Sequence, residues 1–153
     1  MTAALDLAQL LDAVGDAIVV CDQAGAITLW NTGAERMFGF APAEALGQSL
    51  DIIIPERQRK RHWDGYDVTM RTGVTRYGTS LLRVPALHKD GHTLSIAFTV
   101  SLVLSADGKP THIAAVIRDE TERWKEERNL LKRVAELEAK LKAKEPEPDP
   151  IRS

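Results

Sequence analysis

The sequence predicts an α+β fold of five antiparallel strands, with a short helix before them and an amphipathic helix after them. Three observations carry this. Residues 77–119 hold three β-patterned runs joined by two Asp-Gly turns, the pattern of an antiparallel meander. Two helical segments open on proline and stop at glycine, the asymmetry that helices favour. From Glu120 the chain turns densely charged and loses glycine and proline, which marks a separate exit helix.

Length and composition set the outer limits. The 153 residues suit one domain plus an appendage. Hydrophobic residues at 44% and charged residues at 27% are the mix of a globular chain with a core. A net charge of −2 argues against binding to nucleic acid or anionic lipid through bulk charge, so neither is expected as a partner. The basic run RQRKRH at 57–62 is read as a solvated helix face or the rim of an anionic ligand's pocket. No apolar run approaches the roughly 20 residues of a membrane span, and the N-terminus lacks a basic n-region. A cytoplasmic setting without membrane attachment is the expectation. The single cysteine, Cys21, excludes an internal disulfide or a thiolate metal cluster and is read as core filler.

The elements follow in order. Leu7, Leu10, Leu11 and Val14 recur at helical spacing, predicting an amphipathic helix within residues 3–14. Residues 17–22 and 26–30 are short β-branched runs around a turn, a hairpin. Asn31 is placed to cap a helix through residue 39. Pro42 opens another helix that Gly47 stops, and Pro55 opens a longer one that runs to Gly73. Gly65 weakens its middle by about 1 kcal/mol and is read as leaving room for a close approach to the backbone. Strands are predicted over 77–88, 94–104 and 112–119, with turns at 89–91 and 106–109. In the middle strand Leu94, Ile96, Phe98, Val100 and Leu102 share one face, which should meet Tyr66 and Met70 of the long helix.

Residues 120–144 contain 14 charged residues, with Leu130, Val134, Leu137 and Leu141 spaced by 4, 3 and 4. That spacing is a short heptad seam, and a helix of this length needs contact to be stable in water. That contact comes from a second copy or from the chain's own domain, and a parallel or nearly parallel homodimer through the seam is predicted. The proline-rich residues 145–153 are expected to be disordered. The organisation read is an N-terminal helix (1–15), a domain (16–119), a signalling or coiled-coil helix (120–144) and a tail (145–153).

The order of elements, together with GAITLWNTGAERMFGF, AEALGQSL, IIPE, the Thr72–Gly73 pair, the KDG turn and RDETER, resembles the PAS domain. The resemblance spans about residues 6–123 and implies a five-stranded antiparallel sheet with helices on one face. It implies a sensory and dimerising module of bacterial signal transduction rather than an enzyme. Consistent with that, the sequence has no phosphate-binding glycine loop, HExxH or Gly-x-Ser-x-Gly. Asp119 and Thr121 match the Asp-x-Thr junction through which such domains pass to a signalling helix, read by a partner protein that the sequence does not identify.

Between sheet and helices such a fold encloses an apolar space where small ligands bind. The candidate lining is His62, Tyr66, Met70, Tyr77, Leu82, Arg83, Phe98 and Val100. The Arg61–His62 pair resembles the haem-ligating segment of FixL-type oxygen sensors, which would make His62 the iron ligand and Arg57, Arg59, Lys60, Arg61 and Arg76 candidate propionate partners. The distal arginine of those sensors aligns with Leu82, and Arg83, one residue on, should face the other way. A flavin of the LOV kind is disfavoured, because the helical region has no cysteine. His88 and His92 flank the KDG turn and are read as solvated turn residues rather than metal ligands. Three readings stay open for the space: a small ligand or cofactor, haem, or side chains alone with dimerisation as the whole function.

Overall fold

The structure is a computed structural model that describes residues 3–75 and 79–144. Its chain divides into two compact units, Met1–Glu120 and Thr121–Ser153. The first opens with α1 (Leu7–Ala13), shorter than the periodicity suggests because the Asp6 carboxylate accepts from the Gln9 amide and fixes the start there. Strands β1 (Ala17–Asp22) and β2 (Ile27–Trp30) form the hairpin. Helix α2 (Thr32–Phe38) and helix α3 (Pro42–Ala45) follow, then a 3-10 turn at Leu50–Ile53. Helix α4 (Glu56–Thr72) ends on Gly73, whose φ of 72° suits glycine.

Strands β3 (Leu82–Leu87), β4 (Thr93–Leu104) and β5 (Pro110–Asp119) make the meander. All five strands pair antiparallel in the order β2-β1-β5-β4-β3. This is the α+β sheet that the patterning predicts. One boundary differs: the third strand begins at Leu82 rather than near residue 77, and Thr79 lies in a turn. Tyr77, Arg76 and the tail 145–153 lie outside the described residues.

Parity along the strands sorts the side chains. Ala17, Val19 and Cys21 of β1 are buried, as are Leu94 and Ile96 of β4 and Ile117 of β5. They form one core with Phe38, Trp30 and Tyr66, and Phe98 and Met70 pack against its edge. Leu94, Ile96 and Phe98 of the predicted β4 face thus share one core region with Tyr66 and Met70 of α4. Trp30 turns inward, its ring 5.5 Å from Phe38 and its indole N–H donating to the Phe40 carbonyl at 2.9 Å.

Asn31 does more than cap α2. It is 2% exposed. Its Oδ1 accepts from the amides of Ala34 (2.9 Å) and Ile18 (2.8 Å), and its Nδ2 donates to the carbonyls of Leu11 (2.7 Å) and Asp16 (3.1 Å). One amide thus ties α1, β1 and α2 together with every bonding position used.

The second unit is α5 (Thr121–Lys144), with Leu130, Leu131, Val134, Leu137 and Leu141 all exposed along it. Arg128 lies over the Trp124 ring at 4.9 Å, a cation–π contact within the helix.

Candidate functional site

The chemistry on the helix side of the sheet is concentrated on α4. His62 and Tyr66 stand one turn apart and Trp63 beside them, since positions three and four apart share a helix face. The His62 ring lies 4.6 Å from Trp63 and 5.9 Å from Tyr66, and Trp63 lies 5.1 Å from Tyr66.

Two anchors hold this aromatic face to the β1–β2 hairpin. The Tyr66 hydroxyl donates to the Asp22 carbonyl, where β1 ends. Asp22 shapes that turn through its own carboxylate, which accepts from the amides of Ala24 and Ala26. The outer edge of the Trp63 ring lies against Gly25, where an added Cβ would come within 2.3 Å of the ring, and its indole N–H donates to the Asp51 carboxylate at 2.7 Å. Glycine at 25 is therefore required twice, by this contact and by a φ of 84°. Arg59 bonds the carbonyls of Ile54 and Asp51, securing α4 to the 3-10 turn, so it is not a free cation for an anionic ligand. Among the described residues nothing comes within 4 Å of a Cβ built at Gly65, so packing against them does not explain that glycine.

Electrostatics follow burial. His62 is held below the ordinary imidazole value chiefly by desolvation, with Asp51 opposing in part. Its Nδ1 is buried and has no hydrogen-bond partner among the described residues. Burial pushes the Tyr66 hydroxyl up, with Cys21 and Asp22 adding to it. The same burial pushes the Cys21 thiol up to about 12, which makes it inert filler.

The expected site residues separate into groups. His62, Tyr66, Met70 and Phe98 belong to or border one core region. Leu82 and Val100 are half-buried on the same sheet face as Phe98, Leu82 directly opposite it. Arg83 must be removed from the lining: it is exposed and pairs with Ala97 on the opposite face. The β3–β4 register runs unbroken from Leu82 to Leu87, so no bulge turns Arg83 inward. Asp119 closes β5 and Thr121 opens α5.

Sequence reasoning missed the carboxylate between the two turn histidines. Asp90 Oδ1 lies 3.2 Å from His88 Nδ1 and also contacts His92 Nδ1. The spacing His-x-Asp-x-His across a glycine turn was the available signal.

Comparison with known proteins agrees with this architecture. A family model described as the PAS fold matches residues 5–119. The chain is 33% identical over 132 residues to a sensor protein FixL from Bradyrhizobium diazoefficiens, covering 86% of this chain and 26% of that one. It is 34% identical over 93 residues to an uncharacterized protein of Azorhizobium caulinodans, covering 60% of this chain and 13% of that one. The chain thus spans about a quarter or less of these relatives. Among solved structures, the PAS domain of a Colwellia psychrerythraea protein superposes with a TM-score of 0.66 at 26% identity, covering 76% of this chain and 95% of that one. An RNA-binding light-oxygen-voltage receptor shares the fold with a TM-score of 0.64 at 22% identity, covering 91% of this chain and 41% of that one. No helix among the described residues is long and apolar enough to cross a membrane. With its 2-1-5-4-3 sheet and this match over most of its length, the chain belongs to the PAS fold family, as a sensory domain of signalling proteins.

Proposed function

We propose that this domain senses a small ligand or cofactor at the α4–sheet interface and reports it, without catalysis, through α5 of a homodimer. The observation that carries the reading is His62. A buried polar atom without a partner costs about 1–3 kcal/mol, and native structures rarely leave one. A neutral imidazole set among Trp63 and Tyr66 is the donor or acceptor that a ligand entering beside Met70 and Phe98 would satisfy. Tyr66 is the natural moving part, since its single hydroxyl bond to Asp22 links α4 to the hairpin.

The second reading is haem, favoured by the same nitrogen and by the similarity to the FixL sensor. The donor chemistry fits, because iron takes a neutral imidazole and desolvation keeps His62 neutral. His62 would supply the ligand, Met70 and Phe98 the apolar contact, and the exposed Arg57 and Arg61 the cations for propionates. Bound haem would supply a gas-binding iron. Leu82 on the inner face and Arg83 on the outer one leave that iron without the distal cation implied by the resemblance.

Adding haem to purified protein separates the readings. A Soret band that shifts with carbon monoxide and disappears in His62→Ala supports haem; its absence in the wild type leaves the small-ligand reading. The dimer is tested by sedimentation of the intact chain and of a version ending at Arg123. The exposed seam of Leu130, Val134, Leu137 and Leu141 predicts a dimer that the shorter version weakens. If both sediment as monomers at tens of micromolar, the homodimer is wrong.

A further inference from the structure

The β3–β4 turn carries a cluster that the sensory reading does not use. His88, Lys89, Asp90, Gly91 and His92 join the two strands. The His88 amide donates to the His92 carbonyl at 2.9 Å, and the Gly91 amide to the His88 carbonyl at 2.9 Å. Gly91, with a φ of 94°, permits this tight reversal. The reversal places the two imidazoles as cross-strand neighbours, stacked with centroids 4.5 Å apart and planes 22° from parallel. Asp90 folds back between them, its Oδ1 accepting from the His92 amide at 2.9 Å and touching Nδ1 of both rings.

From this geometry we infer that His88, Asp90 and His92 form a binding site for a divalent transition cation of the zinc class. One donor atom from each residue lies within 4.8 Å of the other two. Bond lengths of about 2.0–2.2 Å to a tetrahedral ion put donors roughly 3.3–3.6 Å apart, so small side-chain adjustments suffice. Two imidazoles and one carboxylate are borderline donors that suit Zn2+, Ni2+ or Cu2+ and are poor for Mg2+ or Ca2+. Three protein ligands leave a further position to water.

The surroundings support the assignment. His88 is the more buried of the two histidines, and its ring rests on Gly39, where an added Cβ would lie 2.7 Å from Nε2. That edge is covered by backbone, which leaves Nδ1 as the ligating nitrogen. The Lys89 amide donates to the Phe38 carbonyl at 2.8 Å, so the turn is pinned to the end of α2. The ammonium of Lys89, within the turn itself, pairs with Glu44, which offsets its charge. Binding would take the His88 Nδ1 lone pair from the Asp90 amide, now 3.1 Å away; Asp90 is exposed, so water can replace that bond.

The test uses the full chain with Zn2+ alone in a calorimetric titration, and Co2+ absorption as a report on ligand geometry. One saturable ion per chain is expected. His92→Ala and Asp90→Asn should each weaken it by about tenfold to a hundredfold or more, whereas His112→Ala on β5 should not change it. Far-ultraviolet circular dichroism checks that the variants fold; should Asp90→Asn fail to, His92→Ala decides, because its side chain is exposed. The inference is overturned if no saturable binding appears at millimolar Zn2+. It is equally overturned if His92→Ala binds as tightly as the wild type, or if binding is lost with His112 instead.

Discussion

Asn31→Ala is the substitution whose consequence the structure defines most fully. The side chain is buried and makes four hydrogen bonds, to Ile18, Ala34, Leu11 and Asp16. Each such bond is worth about 1 kcal/mol net, and the helix cap alone is worth about 1 kcal/mol. The alanine variant loses all four, so its unfolding free energy should fall by about 4 kcal/mol. Against the 5–15 kcal/mol of an ordinary domain, that is a large fraction. The melting temperature should drop by roughly 15 °C, taking about 4 °C per kcal/mol for a domain of this size. Urea unfolding followed by circular dichroism measures the loss. Asn31→Asp sharpens the test. It keeps the acceptor for Ala34 and Ile18 but sets a second oxygen against the carbonyls of Leu11 and Asp16. That environment raises the folded-state pKa of the new carboxyl above its unfolded value of about 3.9. The aspartate variant is then closest to wild type near pH 4 and loses stability as pH rises toward 7. An alanine variant within about 1 kcal/mol of wild type, or an aspartate variant indifferent to pH, would refute the argument.

Three further outcomes follow from burial. Phe38→Ala, at a fully buried site, should cost about 3–5 kcal/mol, and Phe98→Ala, at the half-buried edge, at least about 1 kcal/mol less, as urea midpoints will show. Because desolvation depresses the folded-state pKa of His62, the unfolded chain binds the proton first below about pH 6.5. Stability from this group is therefore intact above that pH and lost below it, and His62→Phe should flatten the decline between pH 7 and 5; an unchanged slope contradicts the desolvated, half-buried imidazole. The Cys21 thiol, pushed up to about 12, should react with a disulfide reagent at pH 8 only after urea unfolds the chain.

The local features of this protein were determined by sequence alone, because each depends on residues close along the chain. Strict alternation from Leu94 to Leu102 decides which side chains share a sheet face, since the strand period is two. Aspartate and glycine set the meander turns, proline and glycine bracket α4, and Asn31 caps α2. The same parity argument turns Arg83 away from Leu82. The tertiary structure decided what depends on distant segments meeting. Asn31 is legible as a cap but not as the bond to Ile18 and Leu11, because the β1–β2 pairing brings the first of those groups within reach and the packing of α1 against α2 the second. Trp63 reads as an aromatic on a helix, and its seat on Gly25 arises because α4 crosses the end of the hairpin. His62 reads as an imidazole on a mixed face, yet whether its Nδ1 finds a partner is a property of everything packed around it. His88 and His92 read as residues flanking a turn, and the backbone reversal at Gly91 is what brings the Asp90 carboxylate to both of them. Periodicity and turn chemistry act over a few residues, whereas desolvation and side-chain convergence are set by the whole fold.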